Sequence, residues 1–528
     1  MANRRVLAAL GFVAMLCLAI CSGPLLGGPS EDSGPLRIGS RLELFVDDWL
    51  IERTDGVTKK LHSPTRQNAA IVVDKPWESP HIAYVTVLED VADSAEGAKK
   101  LYRMYYRSMS TKKDGTPSYT GYAESKDGIT WEKPELGIIN CKGNSKNNLV
   151  FDEQQTTNPH GGNNLCPFKD TNPAATESGR YKALIPFRVP GVGSPLMAVA
   201  SPDALRWTRM QEEAVDENWE YESEKTNYTF WDTNLKRYVV YIRSWTDEGF
   251  LKGMRHVARI ESEDFVNWTN MQLLDFGDAP KEHIYTFGPQ QYFRAPHIYM
   301  ALSMRYLPPA KGPQGGQLAF KEGKLIGQGR NWAQGASRET WVGFYEPEHG
   351  VSDCVLSVGR DGLHWNRYMQ AFIRPGRDGQ NWTDRNMIPA RGIIQTAPDE
   401  MSVYWVEHYL HPTARVQRGT LRLDGFVSIH ATYPAGELLT RPLIFEGSEL
   451  VINYASSAAG GLRVEIQDEN GSAIPGFTLN ESADIYGDEI ERVVAWRNGS
   501  DVGSLAGKPV RLRFVMQDAD LYSIQFRP

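Results

Sequence analysis

The sequence predicts an all-β protein, a five-bladed β-propeller followed by a C-terminal β-sandwich. Three observations carry this prediction. A turn motif (Ser or Gly, one residue, Asp, three residues, Trp) occurs four times: SKDGITW at 125–131, SPDALRW at 201–207, SEDFVNW at 262–268 and GRDGLHW at 359–365. Strand-like runs with polar turns between them precede each copy. No long stretch carries a clean helical apolar period.

The Asp of such a motif can accept hydrogen bonds from amides of its own turn, and the Trp gives the turn a large apolar body to bury. A degenerate fifth copy, RGTLRLDGFVSI (418–429), has Asp424 and Phe426 in place of the full motif. The five aspartates, Asp127, Asp203, Asp264, Asp361 and Asp424, recur about 60 to 100 residues apart and read as structural Asp boxes. Antiparallel hairpins repeated at such a period argue for propeller blades, and five units give five blades.

The chain begins with Arg4 and Arg5 before an apolar run from Val6 to Cys21. This is the pattern of a secretory signal, too short to span a bilayer comfortably. Residues 1–28 therefore read as a signal peptide, with an uncleaved anchor as the alternative, and the protein as secreted or periplasmic. The propeller is assigned to 29–432 and the sandwich to 433–528. The early run RLELFVDDWLIE (41–52) is strongly strand-like and is expected to pair with the last blade as its outer strand, removing an exposed edge.

Each blade then reads as strand, turn, strand, connection, strand and Asp turn. The first two strands are HIAYVTVLED and LYRMYYRS in the first unit, and NNLCPFKD and RYKALIPF in the second. They are NYTFWDT and YVVYIRSW in the third, QQYFRA and IYMALSM in the fourth, RGIIQTA and MSVYWVEHY in the fifth. About 45 residues between Arg305 and Gly350 lack a strand pattern, and this long loop is expected to border the funnel mouth. After Ala431 the runs LVINYA, LRVEIQD, VVAW, VRLRFVMQ and YSIQFRP alternate without Asp turns, as a sandwich requires.

Composition agrees. With 528 residues, two domains are the default; 14 Trp, 23 Tyr, 48 Gly and 31 Pro suit many short strands. A net charge of −8 without a Lys/Arg block argues against a nucleic-acid groove. Beyond the leader no segment is apolar enough to cross a membrane. Cys17 and Cys21 leave with the signal, and Cys141, Cys166 and Cys354 form neither a disulfide framework nor a zinc motif. A Cys141–Cys166 bridge and buried free thiols both stay open. No clustered DxDxD loop suggests calcium, so no metal or cofactor is expected.

The turns, the count of five and the C-terminal sandwich together resemble the five-bladed propeller glycosidases, with glycoside hydrolase families 32 and 43 the nearest. The resemblance implies carboxylates at the start of the innermost strands of blades one, two and three, pointing into a central funnel. Blade one is entered through DKPWESPHIAY, which puts Glu78 at the mouth beside Trp77; blade three, through EYESEKTNYTFW, puts Glu224 there. Blade two is entered through NPHGGNNLCPF, which offers His160, Asn163 and Asn164 but no carboxylate, and blade one lacks the NDPNG-type signature of family 32. Blades four and five add Glu282, Tyr285, Arg294, Asp384, Arg385 and Arg391. On this resemblance the partner is a carbohydrate, with aromatic faces for sugar rings and Arg and Asn for hydroxyls or a carboxylate. Glu224 is expected as general acid and Glu78 as nucleophile or base, with Glu282 and Asp384 in reserve. A carbohydrate-binding propeller without catalysis is an alternative. So is a sialidase-like enzyme, which would need Arg294, Arg385 and Arg391 to converge.

Overall fold

The computed structural model describes residues 34–528 apart from 93–98, 110–117, 153–163, 187–195, 213–214, 216–226, 247–253, 308–318, 322–323, 327–349 and 383–384. Five antiparallel sheets form the propeller. In chain order the first has strands Ala83–Ala92, Lys99–Met109, Tyr119–Ser125 and Leu149–Asp152, and the second Phe168–Lys169, Tyr181–Pro186, Leu196–Ser201 and Thr208–Arg209. The third has Tyr228–Asp232, Arg237–Trp245, Arg255–Ser262 and Trp268–Leu273, and the fourth His283–Tyr292, Ala295–Leu307, Val351–Gly359 and Trp365–Arg367. The fifth has a divided inner strand, Ile388–Pro389 and Ile394–Ala397, then Glu400–Glu407 and Arg415–Arg422. Each inner strand lies against that of the next blade, and the fifth returns to the first, so the ring closes with five members.

The four turns show why the motif recurs. In each, one carboxylate oxygen accepts the backbone N–H two and three residues on: Ile129 and Thr130 for Asp127, Leu205 and Arg206 for Asp203, Val266 and Asn267 for Asp264, Leu363 and His364 for Asp361. The residue after each Asp takes a positive φ, between 67° and 73°, at Gly128, Ala204, Phe265 and Gly362. Burial opposes ionisation of Asp264, but the Asn267 and Val266 amides outweigh it and bring the carboxyl down to about 2. The turn also receives a neighbour. Tyr105 of blade one donates to Ala204 O in blade two at 2.8 Å, and Tyr241 of blade three to Gly362 O in blade four at 2.9 Å. Tyr404 of blade five donates to Gly128 O in blade one. The repeat therefore joins blades as well as ending strands, each bond contributing on the order of 1 kcal/mol.

The fifth copy departs from the pattern, as its sequence does. Asp424 itself takes the positive φ, 63°, and its buried carboxylate accepts from Tyr292, Arg294, Asn453 and Ser523. Burial raises its pKa in spite of Arg294. It thus ties blade four to strands of the C-terminal sheet.

Closure differs from the sequence expectation. The strand that pairs with Arg415–Arg422 is Thr65–Val72, not the run 41–52. From that run, Glu43–Leu44 pairs with Ser523–Ile524, and Ile51–Asp55 pairs with Glu437–Thr440. Leu36–Gly39 and Val57–Leu61 also join the C-terminal strands, in one ten-stranded sheet built on the long strands Glu449–Asp468 and Val510–Arg527. The physical reason is apolar content: Leu44, Phe45, Val46 and Leu50 are buried, whereas most of Thr65–Val72 faces solvent, as an outer blade strand should. Glu43, fully buried, anchors the run to Arg360 and His297; burial opposes its ionisation, but His297 and Arg360 hold the carboxyl down at about 2.

The three described cysteines, Cys141, Cys166 and Cys354, are buried free thiols. No helix among the described residues is long and apolar enough to cross a membrane. Residues 1–28, expected from sequence to be a signal peptide, lie outside the described residues, as does most of the long blade-four loop.

Candidate functional site

Strands alternate in direction within each blade, so the start of every first strand, the end of every second and the start of every third share one end of the ring. Two clusters meet there. Tyr285, near the start of the blade-four inner strand, has the guanidinium carbons of Arg243, Arg255 and Arg385 over its ring at 4.7, 5.1 and 5.6 Å. Arg385 also donates to the Tyr285 hydroxyl at 2.9 Å, and Arg243 to the Tyr285 carbonyl at 3.1 Å. Trp245 and Tyr306 extend this surface, each with Arg255 over its ring. In the second cluster Arg107 of blade one lies 4.7 Å above Tyr84 and donates to the Tyr409 hydroxyl at 2.7 Å. Tyr84, Tyr285, Tyr306 and Tyr409 belong to one contiguous core cluster with Ile388, Ala390 and Leu410. Blades one, four and five thus share an aromatic floor, and blade three leans two arginines on it. A groove between blades three and four, lined by Arg243, His256, Tyr285 and Thr286 among others, opens beside Tyr285.

Backbone strain collects at the same end. Tyr84, Arg385, Met387, His408 and Leu410 have φ of 52°, 56°, 59°, 55° and 69°. Side chains with a Cβ rarely adopt this region, and such residues persist only where surroundings over-determine them, as at functional sites.

The residues expected from sequence fall into distinct environments. Glu78 is enclosed, its side chain 1% exposed. Its Oε1 accepts from the Tyr106 hydroxyl at 2.6 Å, and Oε2 from the backbone N–H groups of Asp74 and Lys75. Lys133 Nζ lies 2.7 Å from Oε1 and also reaches Val72 O and Asp74. The carboxylate therefore fastens the blade-five outer strand to blade one. Trp77 donates to Asn148 at 2.6 Å and packs beside Met109, Tyr119 and Leu149. Glu282 pairs with Arg367 at 2.7 Å and Arg305 at 3.6 Å. Arg294 pairs with Asp424 at 2.5 Å and with Glu491 at 3.4 Å.

Asn164 is buried where the chain approaches the blade-two inner strand. Glu224, His160, Asn163 and Asp384 lie outside the described residues. Of the expected residues, the structure brings Tyr285 and Arg385 together at the mouth. Among the described residues, Arg294 bonds to Asp424, Arg385 to the Tyr285 hydroxyl and Arg391 to the Pro289 and Pro167 carbonyls.

Arg391 stands apart. Between its two short pieces the blade-five inner strand leaves its own sheet, and Arg391 bonds to the blade-one inner strand through Val85 O and Val87 N. Its side chain crosses to Pro289 O of blade four at 3.1 Å and Pro167 O of blade two at 3.5 Å, with its guanidinium carbon 5.6 Å from the Phe230 ring of blade three. It therefore touches all five blades. Burial brings its pKa down to about 10, against the opposing influence of Tyr228 and Cys166.

Sequence reasoning missed Arg107, Arg243, Arg255 and Tyr409, because it sought the site only at the first strand of each blade, and missed Tyr84 there because it looked for carboxylates. The available signal was an Arg or Tyr at the mouth end of a second or third strand, as in YIRSW and GMRH.

No family model matches the chain, and no curated protein does. Among solved structures the chain is similar to a glycosyl hydrolase from Bacteroides ovatus, with 14% identity, 71% of this chain and 95% of that one covered, and a TM-score of 0.41. It is also similar to a glycoside hydrolase family 43 arabinoxylan arabinofuranohydrolase from Bacillus subtilis in complex with cellotetraose, with 10% identity, 87% and 98% covered, and a TM-score of 0.36. A third is an endo-arabinase from Bacteroides thetaiotaomicron VPI-5482, with 10% identity, 68% and 98% covered, and a TM-score of 0.38. The five-bladed architecture itself rests on the strand pairing within this chain.

Proposed function

We propose that the chain is a secreted glycoside hydrolase, exported on the leader 1–28, that binds a glycan at the mouth and cleaves it with two carboxyl groups. The observation that carries this is the joined floor of Tyr84, Tyr285, Tyr306 and Tyr409 with guanidinium groups set around it. Aromatic faces take the CH side of sugar rings, and guanidinium N–H groups donate to hydroxyl or carboxylate oxygens. Hydrolysis needs one carboxyl held protonated for the leaving oxygen and a second ionised, as nucleophile or as base for water.

Glu224 is the general acid in this proposal. Glu78 and Glu282, both committed to ion pairs, drop out, and the second role passes to Asp384, whose chain neighbour Arg385 holds Tyr285. The test is hydrolysis of aryl-glycosides and natural glycans by the full chain. Glu224→Gln and Asp384→Asn should each lower kcat by about 100-fold or more, the usual scale for a lost acid or base. Unchanged kcat in both variants would remove the assignment.

One observation favours a second reading, binding without hydrolysis. Several described carboxylates of the propeller are already held by cations: Glu78 by Lys133, Glu282 by Arg367, Asp353 by Arg305 and Glu407 by Arg415. Glycan retention on an array, with no product released from any bound glycan, would select that reading.

A further inference from the structure

We propose that the propeller axis holds a small monovalent anion, of the size and charge of chloride, bound by the Arg391 guanidinium. The local backbone is built to put this side chain on the axis. Gly392, at φ +128°, follows Arg391 where a Cβ would stand 2.4 Å from Val87 O, so no other residue lets the chain lie this close to blade one. On the opposite side Gly288 packs directly against Arg391, whose Cβ would stand at ordinary contact distance, 3.5 Å, from a Cβ placed there.

Charge and hydrogen bonding then point to a further partner of opposite sign. A guanidinium carries five N–H donors, and among the described residues the acceptors of Arg391 are the two carbonyls of Pro289 and Pro167. No carboxylate among the described residues pairs with it. The titratable groups that face it are the Tyr228 hydroxyl and the Cys166 thiol, both raised by burial and hence neutral at ordinary pH. A buried cation of this kind is tolerated when an anion compensates it.

One further donor stands on a strand that Arg391 touches. Thr86, its direct partner on blade one, has a buried hydroxyl that makes no hydrogen bond of ordinary geometry. A halide beside the guanidinium would give it an acceptor. Arg391 is 7% exposed, with Tyr228 and Cys166 buried beside it, which suits a single ion rather than a sugar. The inference is independent of the hydrolase reading.

The test uses the full chain in two measurements. Crystals soaked in sodium bromide should show an anomalous peak within about 3.5 Å of an Arg391 nitrogen, the hydrogen-bonding range for a large ion. In sodium gluconate at constant ionic strength, replacing gluconate by chloride should raise the melting temperature saturably, by about 3 °C. Arg391→Met should abolish the response. If that variant does not fold, Thr86→Val should move half-saturation to higher chloride. A missing bromide peak, or a melting temperature indifferent to chloride in the wild type, overturns the proposal.

Discussion

Replacing Glu78 by Gln separates the two roles open to this residue. In the structure Glu78 and Lys133 form an enclosed pair, with side chains 1% and 9% exposed. The carboxylate accepts from Tyr106, from Lys133 and from two backbone N–H groups, so both oxygens are in use. A glutamine keeps one acceptor oxygen and places an NH2 on the other side, against a donor. Breaking a buried pair costs about 3–5 kcal/mol. Lys133 retains Asp74, an exposed carboxylate at 2.8 Å, which pulls the expected loss to the lower end, about 3 kcal/mol. Urea unfolding followed by tryptophan fluorescence reads this as a lower midpoint at unchanged slope. Lys133→Met should cost a similar amount, and the double variant less than the sum of the two, by about 2 kcal/mol of coupling. The reasoning is refuted if Glu78→Gln leaves the midpoint in place while hydrolysis falls 100-fold. The carboxylate would then be doing chemistry, and the ion pair would be incidental.

Other expectations follow from the blade seams. Asp90 binds Arg103, Lys169 and Tyr181 between blades one and two; burial opposes its ionisation, but Lys169, Tyr181 and Arg103 bring the carboxyl down to about 2. A depressed carboxyl contributes stability that is complete above its unfolded pKa of about 3.9 and is lost as pH falls through 2. Its share, about 2 kcal/mol, should vanish from the acid limb of the stability curve in Asp90→Asn. Gly392→Ala should destabilise by about 3 kcal/mol or more, by steric conflict with Val87 O at a φ that side chains avoid, measured by thermal melting. Tyr241→Phe, which removes the bond to Gly362 O, should lose about 1 kcal/mol in urea without changing the far-ultraviolet spectrum.

Much of the architecture was legible because its instructions are local. An Asp whose oxygen meets amides two and three residues later, a following residue that tolerates positive φ, and a Trp to cover them all lie within seven residues. The strand before each turn was equally readable: VSDCVLSV became Val351–Gly359 and HVARIE became Arg255–Ser262. Closure was not legible. Thr65–Val72 is largely polar and exposed, so its strand character comes from its partner, about 350 residues away. The setting of Glu78 was hidden for a related reason. Its position just before an inner strand was read correctly, but the direction of its side chain depends on Lys133, 55 residues on. The mouth itself is assembled from Tyr84, Arg107, Arg243, Tyr285 and Tyr409, which no sequence window contains. Arg391 was noticed as polar and near the funnel, while the absence of a paired acid among the described residues is a property of the closed ring alone.

The clasp of Thr65–Val72 onto Arg415–Arg422 has a consequence for biogenesis. Residues made early must wait for residues made about 350 positions later, so the wheel stays unlatched through most of synthesis. Strands from 36–61 are likewise woven among those beyond 436, and a single cut near 432 would leave both halves unfinished. The smallest piece able to fold unaided is thus nearly all of 34–528.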